Sequence, residues 1–141
     1  METEIAAAVT AMPTELVLLG WSVVLALVML VIHILTTTPD LGLATAVRPR
    51  DDNPQPTGIL AGRAKRAWTN FTETYALFVG LTLALVASGQ TGGLGLAGAQ
   101  LWLVARVIYA PLYYAGIPWL RTGVFLASIV GLVLMVVDLL T

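Results

Sequence analysis

The sequence predicts an all-α integral membrane protein, a bundle of four spanning helices. Three observations carry that prediction. The chain is 58% hydrophobic. Only 11% of it is charged, against about one quarter in soluble domains. Its apolar residues fall into four long runs separated by glycine, proline and polar residues. The 141 residues read as a single four-helix membrane domain. Cysteine is absent, which excludes a disulfide framework, a thiolate metal site and a cysteine nucleophile. A net charge of −1 gives no electrostatic case for nucleic acid.

The first helix is predicted at about residues 14–37, because Leu16 to Pro39 contains no charged residue and only one titratable group, His33. A secretory signal would carry basic residues before a shorter apolar stretch. Here the flank holds Glu2, Glu4 and Glu15 without Lys or Arg, so the run reads as a retained span. A connector at about residues 38–58 follows, in which Pro39, Pro49, Pro54 and Pro56 exclude a continuous helix. Its Arg48 and Arg50 admit two readings, a solvated connector with a topology signal or a flap reaching an anionic ligand. Composition favours the connector.

The second helix is predicted at about residues 59–88, and the third at about 93–115. "SGQTGG", Ser88 to Gly93, breaks the run between them. The fourth is predicted at about residues 118–140, set off by "GIP", where a glycine ends one helix and a proline starts the next. Pro111 is expected to bend the third helix by removing a backbone donor. Basic residues set the orientation. Arg48, Arg50, Arg63, Lys65 and Arg66 surround the first loop, the second loop is uncharged, and Arg121 flanks the third. By the positive-inside rule loops one and three are cytoplasmic and both termini lie on the other side, as in a bacterial inner-membrane protein.

Helical spacing then groups the polar residues. Arg63, Arg66, Asn70 and Glu73 recur at intervals of three, four and three, which makes one stripe on the second helix. Arg106, Tyr109 and Tyr113 make another on the third helix, at the same membrane level, and Arg121 opens the fourth. Lys65 falls off the stripe and reads as a snorkelling residue. His33 reads as a packing residue and Asp138 as an interfacial one. An unpaired Arg or Asp at the bilayer centre costs about 2.5–3.5 kcal/mol on insertion scales, so Glu73 and Arg106 need partners. A structural Glu73–Arg106 pair would satisfy both without any activity. However, four arginines face one carboxylate at this level. That surplus suits a small ligand with more negative than positive charge, held by guanidinium forks, with Glu73 on its ammonium. No catalytic triad, metal-ligand cluster or phosphate-cradling glycine loop is visible.

"RAWTNFTE", Arg66 to Glu73, and "ARVIYAPLYYAGIPWLRT", Ala105 to Thr122, resemble in order the two sequence blocks of the MAPEG family, membrane-associated proteins of eicosanoid and glutathione metabolism. After the glutamate that family often has an aromatic or Asn, and then Pro. This chain departs from it with Thr74 and Ala76, which touches a helix kink and one ligand contact. The resemblance implies a homotrimer of four-helix protomers binding glutathione, as cosubstrate, between neighbouring subunits. Carried over by position, it implies that Arg66, Asn70, Glu73, Arg106, Tyr109 and Tyr113 bind glutathione, and that Arg121 is the catalytic arginine stabilising its thiolate. Arg63, on the same stripe, joins the expected glutathione-binding set. No metal is expected.

The reading is a membrane-bound glutathione-dependent transferase or peroxidase acting on hydrophobic electrophiles, in contact with lipid. The alternative is a non-catalytic lipid- or partner-binding scaffold of the same fold. A small transporter is disfavoured, because the polar residues cluster at one level and no polar path continues toward Asp138.

Overall fold

The structure, a computed structural model, describes residues 1–4 and 11–141. Five helices follow one another after Pro13: α1 (Thr14–Leu41), the short α2 (Leu43–Val47), α3 (Ile59–Ala87), α4 (Gly93–Ala115) and α5 (Pro118–Leu140). Four of them, α1, α3, α4 and α5, are long and apolar enough to cross a membrane. They form an antiparallel bundle, and no strand occurs among the described residues. The predicted spans agree with α3, α4 and α5 to within a residue. The first helix does not stop before Pro39; α1 runs through it to Leu41. Proline tolerates helical φ, so a position in the last turn costs only one backbone bond. The helix ends instead at Gly42, whose φ of 85° lies in the left-handed region. The connector also contains α2, which the sequence reading left as loop. α4 continues through Pro111.

The bundle is held together differently at each interface. α4 and α5 touch backbone to backbone. A Cβ on Gly98 would lie 2.5 Å from the Gly131 carbonyl oxygen, and one on Gly131 would lie 2.6 Å from the Gly98 oxygen. Lipid supplies no hydrophobic drive between spanning helices, so close approach of small residues and the dispersion it gives are the available glue. α3 meets α4 through aromatic rings. Trp102 stacks on Phe78 with centroids 3.9 Å apart, and Phe71 lies tilted against it at 5.8 Å. α1 is tied to α3 by a polar bond. The Ser22 hydroxyl donates to Leu19 O at 2.6 Å, so it accepts from Tyr75 Oη at 3.1 Å.

Carboxylates close the helix ends. Helix N-termini leave backbone N–H groups unpaired and carry partial positive charge. At the end of the bundle that carries α4's start, Glu15 accepts from Gly92 N at 2.5 Å and Asp138 accepts from Gly95 N at 2.8 Å. Glu15 is 1% exposed, a buried position for an acid on the flank of an apolar run. Asp138 is therefore a helix cap from α5 to α4, where the sequence reading had seen only an interfacial residue. At the opposite, basic end Asp40 accepts from Thr57 N at 2.6 Å and Gly58 N at 3.0 Å, fastening the end of α1 to the start of α3. Next to it, Gly116 ends α4 with φ 78°, and Pro118 opens α5.

Two outcomes follow for thermal unfolding in detergent micelles. Gly98→Val puts methyl groups against a backbone carbonyl that cannot yield, and is expected to destabilise by about 1–3 kcal/mol. An unchanged transition would show that α4 and α5 are not in backbone contact. Asp138→Ala is expected to cost about 1 kcal/mol and Asp138→Asn less, because the amide keeps an acceptor oxygen for Gly95 N.

Candidate functional site

At the basic end the first turns of α3 form one wall of a cleft of about 370 Å³. α3 contributes Lys65, Arg66, Thr69, Asn70 and Glu73. Gln55 and Pro56 of the connector close one side, and Tyr113 of α4 closes another. Gly62 opens the floor. A Cβ there would stand 3.2 Å from Arg66 Nη1, so the missing side chain gives that guanidinium its room. The wall exists because Arg66, Asn70 and Glu73 share a helix face, as their spacing dictates. Lys65, Thr69 and Glu73, at intervals of four, form a second row that meets the first at Glu73. Both rows face the cleft.

Behind this wall Arg106 is 1% exposed. Its Nη1 donates to Asn70 Oδ1 at 2.7 Å and its Nη2 to Thr74 Oγ1 at 2.5 Å. The guanidinium carbon lies 5.2 Å from the ring centre of Phe125, 5.3 Å from Tyr109 and 5.8 Å from Trp102. Three rings and two hydrogen bonds surround the cation, each ring contact contributing roughly 0.5–2 kcal/mol when desolvated. The Glu73–Arg106 pair considered from sequence does not form within the protomer. Glu73 is exposed in the cleft, and the one ion pair among the described residues is Arg48–Asp52 at 2.8 Å. Thr74 is thus a site residue that sequence reasoning had noted only as a departure from the family pattern. Its place one helical turn beyond Asn70 was the available signal.

The other arginines take separate positions at the same level. Arg63 is turned away from the cleft; its Nη1 donates to Tyr114 O at 3.0 Å, and its guanidinium packs against Gly116 in the α4–α5 turn. Arg121 lies over Tyr113, its guanidinium carbon 4.4 Å from the ring centre. Tyr113 meets Tyr109 edge-on at 5.5 Å. The structure therefore gathers Arg66, Asn70, Glu73 and Tyr113 around one cavity. Arg106 and Tyr109 stand behind it, Arg121 flanks it through Tyr113, and Arg63 stands apart.

Gln55, Pro56, Gly62, Lys65 and Thr69 are the lining residues that sequence reasoning missed. Lys65 belongs to the row at intervals of four, which spacing could have revealed; Gln55 lies in irregular chain and had no such signal. Arg48 and Arg50 stay outside the cleft. Arg48 donates to Asp52, holding that carboxyl below the usual carboxylate range, and Arg50 donates to Ala46 O at 2.7 Å. Both sit as a connector would place them. Among the described residues the His33 imidazole bonds only to Thr37 on its own helix, at 3.0 Å.

The arrangement offers two cations, one carboxylate, two amides, a hydroxyl and a phenol, a set that suits a zwitterionic small molecule. No curated protein and no solved structure matches the chain. A family model described as the MAPEG family matches residues 18–141, a span that takes in α1 from Leu18 onward, the whole of α3, α4 and α5, and every residue of the cleft. The chain is an integral membrane protein that belongs to the MAPEG family.

Proposed function

We propose that the protein is a membrane-bound glutathione-dependent transferase or peroxidase for hydrophobic electrophiles, working as a homotrimer with its cleft on the cytoplasmic side. The observation that carries this reading is the charge balance of the cleft. Glutathione brings two carboxylates, one ammonium and a thiol. The lining brings Lys65 and Arg66 for the former and an exposed Glu73 for the ammonium. A volume near 370 Å³ falls within the range of about 300–1,000 Å³ for small-molecule sites. Asn70 adds direction: its Oδ1 is taken by Arg106, so its amide hydrogens are left for a ligand carboxylate or peptide carbonyl. Arg106 acts here as a positioning residue behind Asn70, with Tyr109 packed beside it.

The thiol must ionise to react, and its ordinary pKa near 8.5 leaves little thiolate at neutral pH. A nearby guanidinium favours the anion. Arg121, held over the ring of Tyr113 at the cleft edge, takes that role. In transfer the thiolate sulfur attacks an electrophilic carbon and the leaving group departs with its electron pair. In peroxide reduction two glutathione molecules supply the electrons, giving disulfide, alcohol and water. An apolar groove between α3 and α5, about 390 Å³ and lined by Leu77, Leu81 and Leu132 among others, begins one helical turn beyond Glu73. It gives a lipid-soluble cosubstrate a path to the sulfur.

The trimer is supported by what the protomer leaves uncovered. Arg66, Thr69 and Glu73 are exposed on a spanning helix, and charges at bilayer depth are strongly disfavoured against lipid. A second copy against this face covers them and completes the cleft. By the positive-inside rule, the basic residues of the first loop and Arg121 support a cytoplasmic orientation of that face.

Purified protein is expected to turn over a chromogenic electrophile with glutathione, and Arg121→Ala is expected to lower the rate by about 10²-fold or more, since electrostatic stabilisers act on that scale. Equal rates would remove Arg121 from the mechanism. Glutathione is also expected to raise the unfolding temperature in a saturable manner, because a ligand of the folded form adds stability. The absence of any shift would favour the non-catalytic scaffold.

A further inference from the structure

The short helix α2 is inside out for a segment that faces water. Leu43 and Val47 stand one turn apart on one side of it and are 70% and 77% exposed. Thr45 and Ala46 are its half-buried residues. The hydroxyl of α2 is thus among the covered groups, and its two largest apolar side chains are not. A helix on a water-facing surface has the reverse order, apolar side in and polar side out. The apolar exposure also continues on both sides of α2. Leu35 in α1 and Ile59 in the first turn of α3 are exposed, and Trp119 at the start of α5 is 89% exposed. The helix ends concerned lie at one end of the bundle. Asp40 staples the end of α1 to Thr57 and Gly58, and Arg63, one turn into α3, bonds Tyr114 O beside the α4–α5 turn. In spanning helices tryptophan collects where acyl chains meet headgroups. Trp119 and Ile59 therefore mark that boundary, and α2, which follows α1 after Gly42 alone, starts at the same level.

We propose that α2 is an interfacial anchor, whose Leu43 and Val47 enter the boundary between headgroups and acyl chains. The occupant of its exposed side is the lipid surface, because that side continues the lipid-facing surface of α1 and α3. Charge does not select the lipid. From Leu43 to Gly58 two arginines and two aspartates cancel, and Arg48 is paired with Asp52. The anchor is apolar and takes zwitterionic and anionic bilayers alike. The water-facing part of the connector begins only at Arg48. Eight residues separate Val47 from Gln55, whose amide accepts from Lys65 and donates to Asn53 at the cleft mouth. The segment that closes one side of the cleft is thus held by lipid at α2 and by protein at Gln55. The anchor does not depend on what the cleft binds.

The chain has no cysteine, so one introduced cysteine carries a lone nitroxide. The test labels Leu43→Cys, Val47→Cys, Leu35→Cys and Pro49→Cys in the full-length protein, reconstituted in phosphatidylcholine bilayers. Power saturation is then read against oxygen and a water-soluble nickel chelate. The labels replacing Leu43 and Val47 are expected to be open to oxygen and shielded from nickel, like the one replacing Leu35. Their depth is expected to be about 5–10 Å into the headgroup–acyl boundary, and the label replacing Pro49 is expected to meet nickel freely. Adding phosphatidylserine is expected to leave the depth unchanged. Nickel access at Leu43 and Val47 equal to that at Pro49 would overturn the anchor in favour of a solvated connector. Exclusion of both reagents would overturn it in favour of a protein cover, such as a second copy of the chain. Insertion confined to bilayers with phosphatidylserine would overturn it in favour of an electrostatic contact.

Discussion

The constraint on which the bundle depends is a guanidinium with almost no exposure in the middle of a spanning helix. Arg106 cannot reach water or headgroups, so its donors must be met by neighbouring helices. Asn70 and Thr74 on α3 meet two of its nitrogens, and Phe125 on α5 contributes a ring face. One side chain of α4 therefore fixes the rotation of α3 about its axis and the approach of α5. The same bonds orient Asn70, and Asn70 is part of the cleft wall. Structure and site are set by one buried charge.

The polar atoms elsewhere follow the same logic at lower cost. Glu15, Asp138 and Asp40 each meet backbone N–H groups at or just before a helix start, where a negative charge is favoured. Four acids lie within the spanning helices, and three of them are spent this way. Glu73 is the exception. It lies inside a span, is exposed in the protomer, and faces a cavity lined by two cations. That contrast between satisfied and unsatisfied carboxylates is what separates architecture from binding surface in this molecule.

Much of this was legible in the sequence. Uncharged length and turn residues located α3, α4 and α5, because in a membrane the backbone must pair within each span. The end of α1 was misplaced, since Pro39 read as a stop where the last turn tolerates it. The Arg66–Asn70–Glu73 wall was legible from helical phase. The partners of Arg106 were not. Charge counting pointed to Glu73, whereas side-chain reach across the α3–α4 interface selects Asn70 and Thr74. The caps were equally hidden, because Glu15 and Gly92 are 77 residues apart and Gly95 and Asp138 are 43 apart, and no local pattern joins them. Lys65 was dismissed by being compared with only one of the two rows that meet at Glu73.

The Asp40 carboxylate has a practical corollary. Because a single side chain staples the exit of α1 to the entrance of α3, the geometry of those helices does not depend on the length of chain looped out between them. Loop closure grows only slowly in cost with added residues, by about 0.6 kcal/mol per doubling. The exposed stretch between α2 and Asp52 can therefore accept a spliced-in reporter or affinity handle, giving a grip on a molecule whose remaining surface is mostly buried in lipid.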